Sequence, residues 1–177
     1  TWWERHTTNL IEFAPCVLPL VAADQSCKIN YDTGYYANVA VAQGRGLELT
    51  GSARFAHVVA DANYSIVVNE DRTPGAVTYG LQLPRVPRHL FNASLAYEWP
   101  FGVTTSAAVR RAGGSIDGAY PVTLAGYTLV DLRAEWKLVP GVTLFGRVEN
   151  VGNVQYQTAY GYNSLGRTAY LGLRGHF

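Results

Sequence analysis

Charge is scarce in this chain, and what there is cancels. Of its 177 residues 15% are charged, against roughly 25% for an average soluble domain, and 14 basic side chains offset 13 acidic ones to leave +1. No basic stripe exists to hold a polyanion, which excludes nucleic acid as a partner. Long apolar runs are missing as well. The longest, Ala14 to Ala23 (APCVLPLVAA), falls short of the roughly 20 residues of a membrane-spanning helix and contains two prolines, so it reads as a loop. The amino end carries no basic-then-apolar leader, as in a mature chain or one whose beginning is missing.

Signatures of catalysis are lacking too. His6, His57, His89 and His176 fall on separate strands or turns without the spacing of metal ligands. No nucleophile elbow or H-E-x-x-H occurs, and Gly44-Arg45-Gly46 has no strand-to-helix setting for a nucleotide loop. The sequence therefore predicts neither an enzyme nor a bound metal or cofactor.

What the chain has in quantity is glycine (18) and tyrosine (12), residues of turns, strands and membrane interfaces. Period-two alternation and turn signals divide it into about eight strands: 2–13, 35–55, 58–69, 87–99, 102–112, 126–138, 141–152 and 167–177. In the sixth, Thr128, Val130, Leu132, Ala134, Trp136 and Leu138 alternate with Asp131, Arg133, Glu135 and Lys137. The seventh sets Val142, Leu144, Gly146 and Val148 against Thr143, Arg147 and Glu149. Phe91, Ala93, Leu95, Tyr97 and Trp99 oppose Asn92, Ser94 and Glu98 in the fourth. A membrane strand needs only about 9–11 residues with one apolar face, so mean hydropathy near zero does not exclude a transmembrane barrel. Alternation alone fits a soluble barrel or sandwich with its apolar face inward equally well.

Connections near 55–58, 99–102 and 138–141 are tight, while those over about 14–34, 70–86, 113–125 and 153–166 are long. Short and long connections alternate strictly, as do the periplasmic turns and extracellular loops of outer-membrane barrels, which predicts periplasmic ends for Thr1 and Phe177. Phe55, Trp99, Phe101, Trp136 and Phe177 gather at the short-turn end; Tyr35, Tyr36, Tyr120, Tyr127, Tyr160 and Tyr162 gather at the other. These groups predict two interfacial girdles.

The carboxyl end narrows the class. From Tyr160 the sequence runs YGYNSLGRTAYLGLRGHF, placing Ala169, Leu171, Leu173 and Gly175 on one face and Tyr170, Gly172, Arg174 and His176 on the other, and closing on Phe177. Ser164, Gly166, Arg167, Ala169, Leu171, Leu173 and Phe177 together resemble the final strand of TonB-dependent outer-membrane receptors. Glu149-Asn150-Val151-Gly152-Asn153, followed by Tyr156, Tyr160 and Tyr162, is similar to that family's penultimate element, with Val151-Gly152 in place of the usual Leu-Phe. Trp2-Trp3-Glu4-Arg5 leading to Asn9-Leu10-Ile11-Glu12-Phe13 resembles a late strand of the cobalamin branch, and Tyr35-Tyr36-Ala37-Asn38 followed by Gly46-Leu47-Glu48-Leu49 resembles the next strand.

The resemblance implies an all-β fold: an antiparallel transmembrane β-barrel of about eight strands, or the last eight strands of a larger one, spanning residues 1–177 without a plug domain. It implies a place in the Gram-negative outer membrane and uptake of cobalamin or a siderophore in the complete receptor. Outer-membrane lipid and lipopolysaccharide, the barrel-assembly machinery and a companion chain bearing the plug and remaining strands are the implied partners. Ala169, Leu171, Leu173 and Phe177 would be the assembly signal. The alternative is a self-contained eight-stranded barrel with a structural or narrow-pore role, since eight strands enclose little more than their own side chains.

Two features of the long loops carry chemistry. Cys16 and Cys27 bracket ten residues of the first and predict a disulfide worth about 2–3 kcal/mol, two free thiols being the other reading. Asp117, Tyr120, Tyr156, Tyr160, Tyr162 and Asn163 are candidate ligand contacts, through stacking and hydrogen bonding; interfacial tyrosines are the plainer explanation.

Overall fold

The computed structural model describes residues 1–15, 34–76, 78–117 and 122–176. Cys16, Cys27, Tyr120 and Phe177 lie outside them. Eight strands form one antiparallel sheet: β1 (Trp2–Pro15), β2 (Gly34–Phe55), β3 (Val58–Asp71), β4 (His89–Glu98), β5 (Val103–Ala112), β8 (Tyr127–Val139), β9 (Val142–Glu149) and β12 (Thr168–Gly175), each beside its neighbours in chain order. Four short strands build two hairpins above the sheet, β6 (Ser115–Asp117) with β7 (Val122–Leu124) and β10 (Gln157–Ala159) with β11 (Tyr162–Asn163). Among the described residues the large sheet does not close, because β1 pairs only with β2 and β12 only with β9. Of the two expected arrangements, the structure is the open run of eight strands and not a closed eight-stranded barrel.

The register confirms the faces. Leu132 lies opposite Val148, Trp136 opposite Leu144, and Leu144 opposite Leu173, so one surface is apolar from β8 to β12. The same surface continues through Val109, Ala93, Ala62 and Gly51. Its side chains are open, with Leu171 79% and Phe55 83% exposed, and only Ala42, Ala112, Leu124 and Leu129 are buried apolar residues among those described. Among the described residues no second layer covers the apolar face. A soluble sandwich would have to cover it; a lipid-facing wall would not.

The opposite face is charged. Arg110 pairs with Asp131 at 3.1 Å, Arg54 with Glu98 at 3.2 Å and Arg147 with Glu149 at 3.4 Å, while Glu135 receives both Arg133 and Arg174. Pairing across strands holds for Arg110–Asp131, but Arg133 stands directly opposite Arg147, and each of these turns to a carboxylate on its own strand. Two aromatics on this face lie over glycine. The Trp3 ring lies over Gly44 and Gly46, so a Cβ at Gly46 would sit 2.8 Å from the indole and from the Ile66 carbonyl oxygen. Phe145 occupies the space that a Gly172 side chain would fill.

Tight turns join the strands at one end. Ala56 takes φ +48° between β2 and β3, and Gly141, at φ +82°, leaves no room for a side chain because the His176 carbonyl oxygen would be 2.7 Å away. Tyr97, Trp99 and Phe101 stack in series at this end, with ring centroids 4.6 and 6.0 Å apart. Tyr127 departs from the expected girdle: it shares the charged face of β8 with Asp131 and packs on Tyr156 at 4.3 Å.

Candidate functional site

The long connections rise from the other end of the sheet, and buried polar side chains organise the described parts of the three that follow β3, β5 and β9. At the upper end of β3, Asp71 accepts the Thr73 amide at 2.7 Å and the Thr78 hydroxyl. Burial pushes its pKa up, but the hydrogen bonds from Thr78 and Thr73 outweigh this and hold it below the ordinary 3.8. Asp71 lies five residues beyond the last β3–β4 pair, Ile66 with His89, and so above the apolar band. Further on, the Gln82 amide accepts from the Asn69 N–H and donates to the Val67 and Val86 carbonyls.

After β9, Asn150 is 4% exposed and sits at φ +50°, a conformation that Asn tolerates better than most residues. Its backbone N–H reaches Asp131 at 2.8 Å, its side-chain oxygen accepts from Val154, and its amide donates to the Val154 and Leu165 carbonyls. Asn153, at φ +51°, accepts the Arg167 amide at 2.9 Å. The Asn150-Val151-Gly152-Asn153 segment singled out in the sequence is thus the clasp closing the base of the 150–167 connection.

Between the two small hairpins lies a cavity of about 330 Å3. Tyr156, Tyr160 and Asn163 line it with Gln155, Gln157 and Leu124. Three of the sequence-predicted contacts therefore meet. Tyr162 does not line it, being 75% exposed on β11. Asp117 is 3% exposed, accepting from Arg85 and from the Tyr160 backbone N–H. Rings beside carboxamides can stack on a flat solute and hydrogen-bond its polar rim. At the small end of the roughly 300–1,000 Å3 range of ligand sites, this volume seats only part of a large solute. A second, mostly apolar cavity of about 400 Å3 lies between the 72–88 connection and β6–β7, lined by Leu81, Val86 and Ile116. Sequence reasoning missed Gln155, Gln157 and Arg85, since single polar residues in a loop carry no periodic signal.

An antiparallel wall with a bare apolar face, a charged inner face and long loops at one end defines the class: a segment of a transmembrane β-barrel of the Gram-negative outer membrane. Residues 1–151 match the family model described as TonB dependent receptor-like, beta-barrel, and the chain belongs to that family. It is 29% identical over 157 residues to the vitamin B12 transporter BtuB of Vibrio cholerae serotype O1, covering 84% of this chain and 24% of that protein. The pyoverdine outer membrane receptor FpvA of Pseudomonas aeruginosa PAO1 superposes with TM-score 0.73 at 19% identity, over 99% of this chain and 26% of that one. The ferric-catecholate import receptor Fiu of Escherichia coli K12 does so with TM-score 0.71 at 18% identity, over 98% and 24%. The chain spans about a quarter of the length of the curated relatives it matches.

Proposed function

We propose that this chain forms the late wall and surface loops of a receptor that imports a scarce, large nutrient of the corrinoid or ferric-siderophore class by TonB-dependent transport, without catalysing any reaction. The observation that carries this reading is the open sheet. Unpaired backbone groups are not tolerated in hydrocarbon, so the free edges of β1 and β12 call for further strands. A barrel of about 22 strands has a lumen wide enough for a plug and a bulky solute, which eight strands lack. The missing strands and plug would come from the same polypeptide or a companion chain, with lipopolysaccharide around the outer rim and the assembly machinery acting on Ala169, Leu171, Leu173 and Phe177.

In this reading the Tyr156–Tyr160–Asn163 cavity takes one edge of the solute and loops from the remaining strands take the rest. The likeness to BtuB favours a corrinoid. Native outer membranes holding the intact receptor are expected to bind radiolabelled cyanocobalamin with saturable affinity, in competition with unlabelled cyanocobalamin and not with ferric siderophores. Binding of a siderophore alone would move the substrate to the second class, and binding of neither would overturn the reading.

A further inference from the structure

Asp117 was expected as a ligand contact, yet the protein itself takes up its carboxylate. Oδ1 accepts from Arg85 Nε at 2.7 Å and Oδ2 from the Tyr160 N–H at 2.6 Å, and the side chain is 4% exposed. These three residues come from three different connections, 72–88, 113–126 and 150–167. A second bond reinforces the first junction, since the Arg85 N–H donates to the Ile116 carbonyl at 2.7 Å. Arg85 makes both bonds from φ +61°, a region that a long side chain disfavours and that persists only where surrounding contacts impose it. Tyr160 in turn forms part of the 330 Å3 cavity wall.

We infer that Asp117 is a positioning residue: its buried carboxylate ties the 72–88 and 150–167 connections to β6 and fixes Tyr160 in the cavity wall, so the three segments are held as one unit. A charge-assisted bond at each oxygen gives the junction more strength than a neutral contact would. Removing the Arg85 cation strands the buried Asp117 carboxylate, and neutralising Asp117 weakens its bonds to both Arg85 and the Tyr160 N–H, so either change loosens segments beyond the one that was altered. The consequence for binding rests on the ligand-surface reading proposed above; the coupling of the loops does not.

Amide hydrogen exchange on the intact protein in native outer membranes tests the coupling, using Asp117→Asn and Arg85→Gly. Glycine relieves the backbone of residue 85 while removing its cation. Both variants are expected to speed exchange roughly tenfold or more in 81–88 and in 156–163 together, leaving β8 and β9 unchanged. Faster exchange confined to 113–126 in Asp117→Asn, or an unchanged 156–163 segment in Arg85→Gly, would overturn the inference. A second arm measures cyanocobalamin affinity in a cycle of Asp117→Asn and Tyr160→Ala. If Asp117 acts through Tyr160, the double variant binds no more weakly than Tyr160→Ala alone, and additive losses would refute that route. Failure of the unsubstituted receptor to bind cyanocobalamin would count against the substrate class, and the exchange measurement would still decide the latch.

Discussion

Single polar residues do in the loops what periodicity does in the strands. Asp71, Asn150 and Asp117 are 5%, 4% and 3% exposed, and each accepts from a backbone N–H of a long connection that the main sheet does not pair. Asp71 makes its contribution pH-dependent. Its pKa is depressed in the folded chain, so the stabilisation is fully present above the ordinary value of 3.8 and is lost as pH falls through the lower, folded value. Limited proteolysis at 72–81 is therefore expected to stay slow at neutral pH and to accelerate only in acid below about pH 4. Asp71→Asn, which cannot ionise, should lose the pH dependence and cut faster at neutral pH. A variant as resistant as the parent would show that the carboxylate does not hold the loop.

At the scale of strands, the apolar face sets the cost of a charge by depth. Leu132 pairs with Ala107 and Val148 near mid-strand, whereas Leu144 is two residues from the start of β9. Leu132→Arg is expected to destabilise folding into lipid vesicles by about 2–4 kcal/mol and Leu144→Arg by less, because the penalty fades toward the interface. Arg133→Gln, on the charged face, should be nearly neutral. Urea titrations of the three variants check the order, and equal losses would reverse the assignment of faces. The eight main strands were legible in the sequence because a wall one layer thick writes its two faces directly into alternation. All their observed ends lie within three residues of the expected ones. The hairpins β6–β7 and β10–β11 were not legible, because two or three residues hold no period. Nor were the seats of Trp3 over Gly44 and Gly46 and of Phe145 over Gly172, which depend on register between strands. Of the candidate contacts, Tyr156, Tyr160 and Asn163 could be placed together because all sit in one loop; that Asp117 joins them needed a contact across 43 residues.

For the whole molecule, assembly and stability are separable. The lipid-facing run Ala169, Leu171 and Leu173 lies on the edge strand of the sheet, and Phe177 follows in the sequence, outside the described residues. As a proposed assembly signal, Phe177 is expected to act in delivery and to contribute no more to stability than the roughly 1.5–3 kcal/mol of a buried ring. Its deletion is expected to lower the amount of receptor in the outer membrane sharply while refolding in detergent stays near the parent yield. Equal outer-membrane levels would remove Phe177 from the delivery step.

β2 runs for 22 residues and β4 for 10. At about 3.3 Å per residue and a tilt near 45°, β2 reaches a height of roughly 50 Å and β4 less than half that, against a hydrocarbon core of about 30 Å. Beyond Val41 the upper part of β2 pairs with β1 alone, so the rim of the wall steps up at this two-stranded ribbon, which stands as a parapet above the ends of β3 and β4.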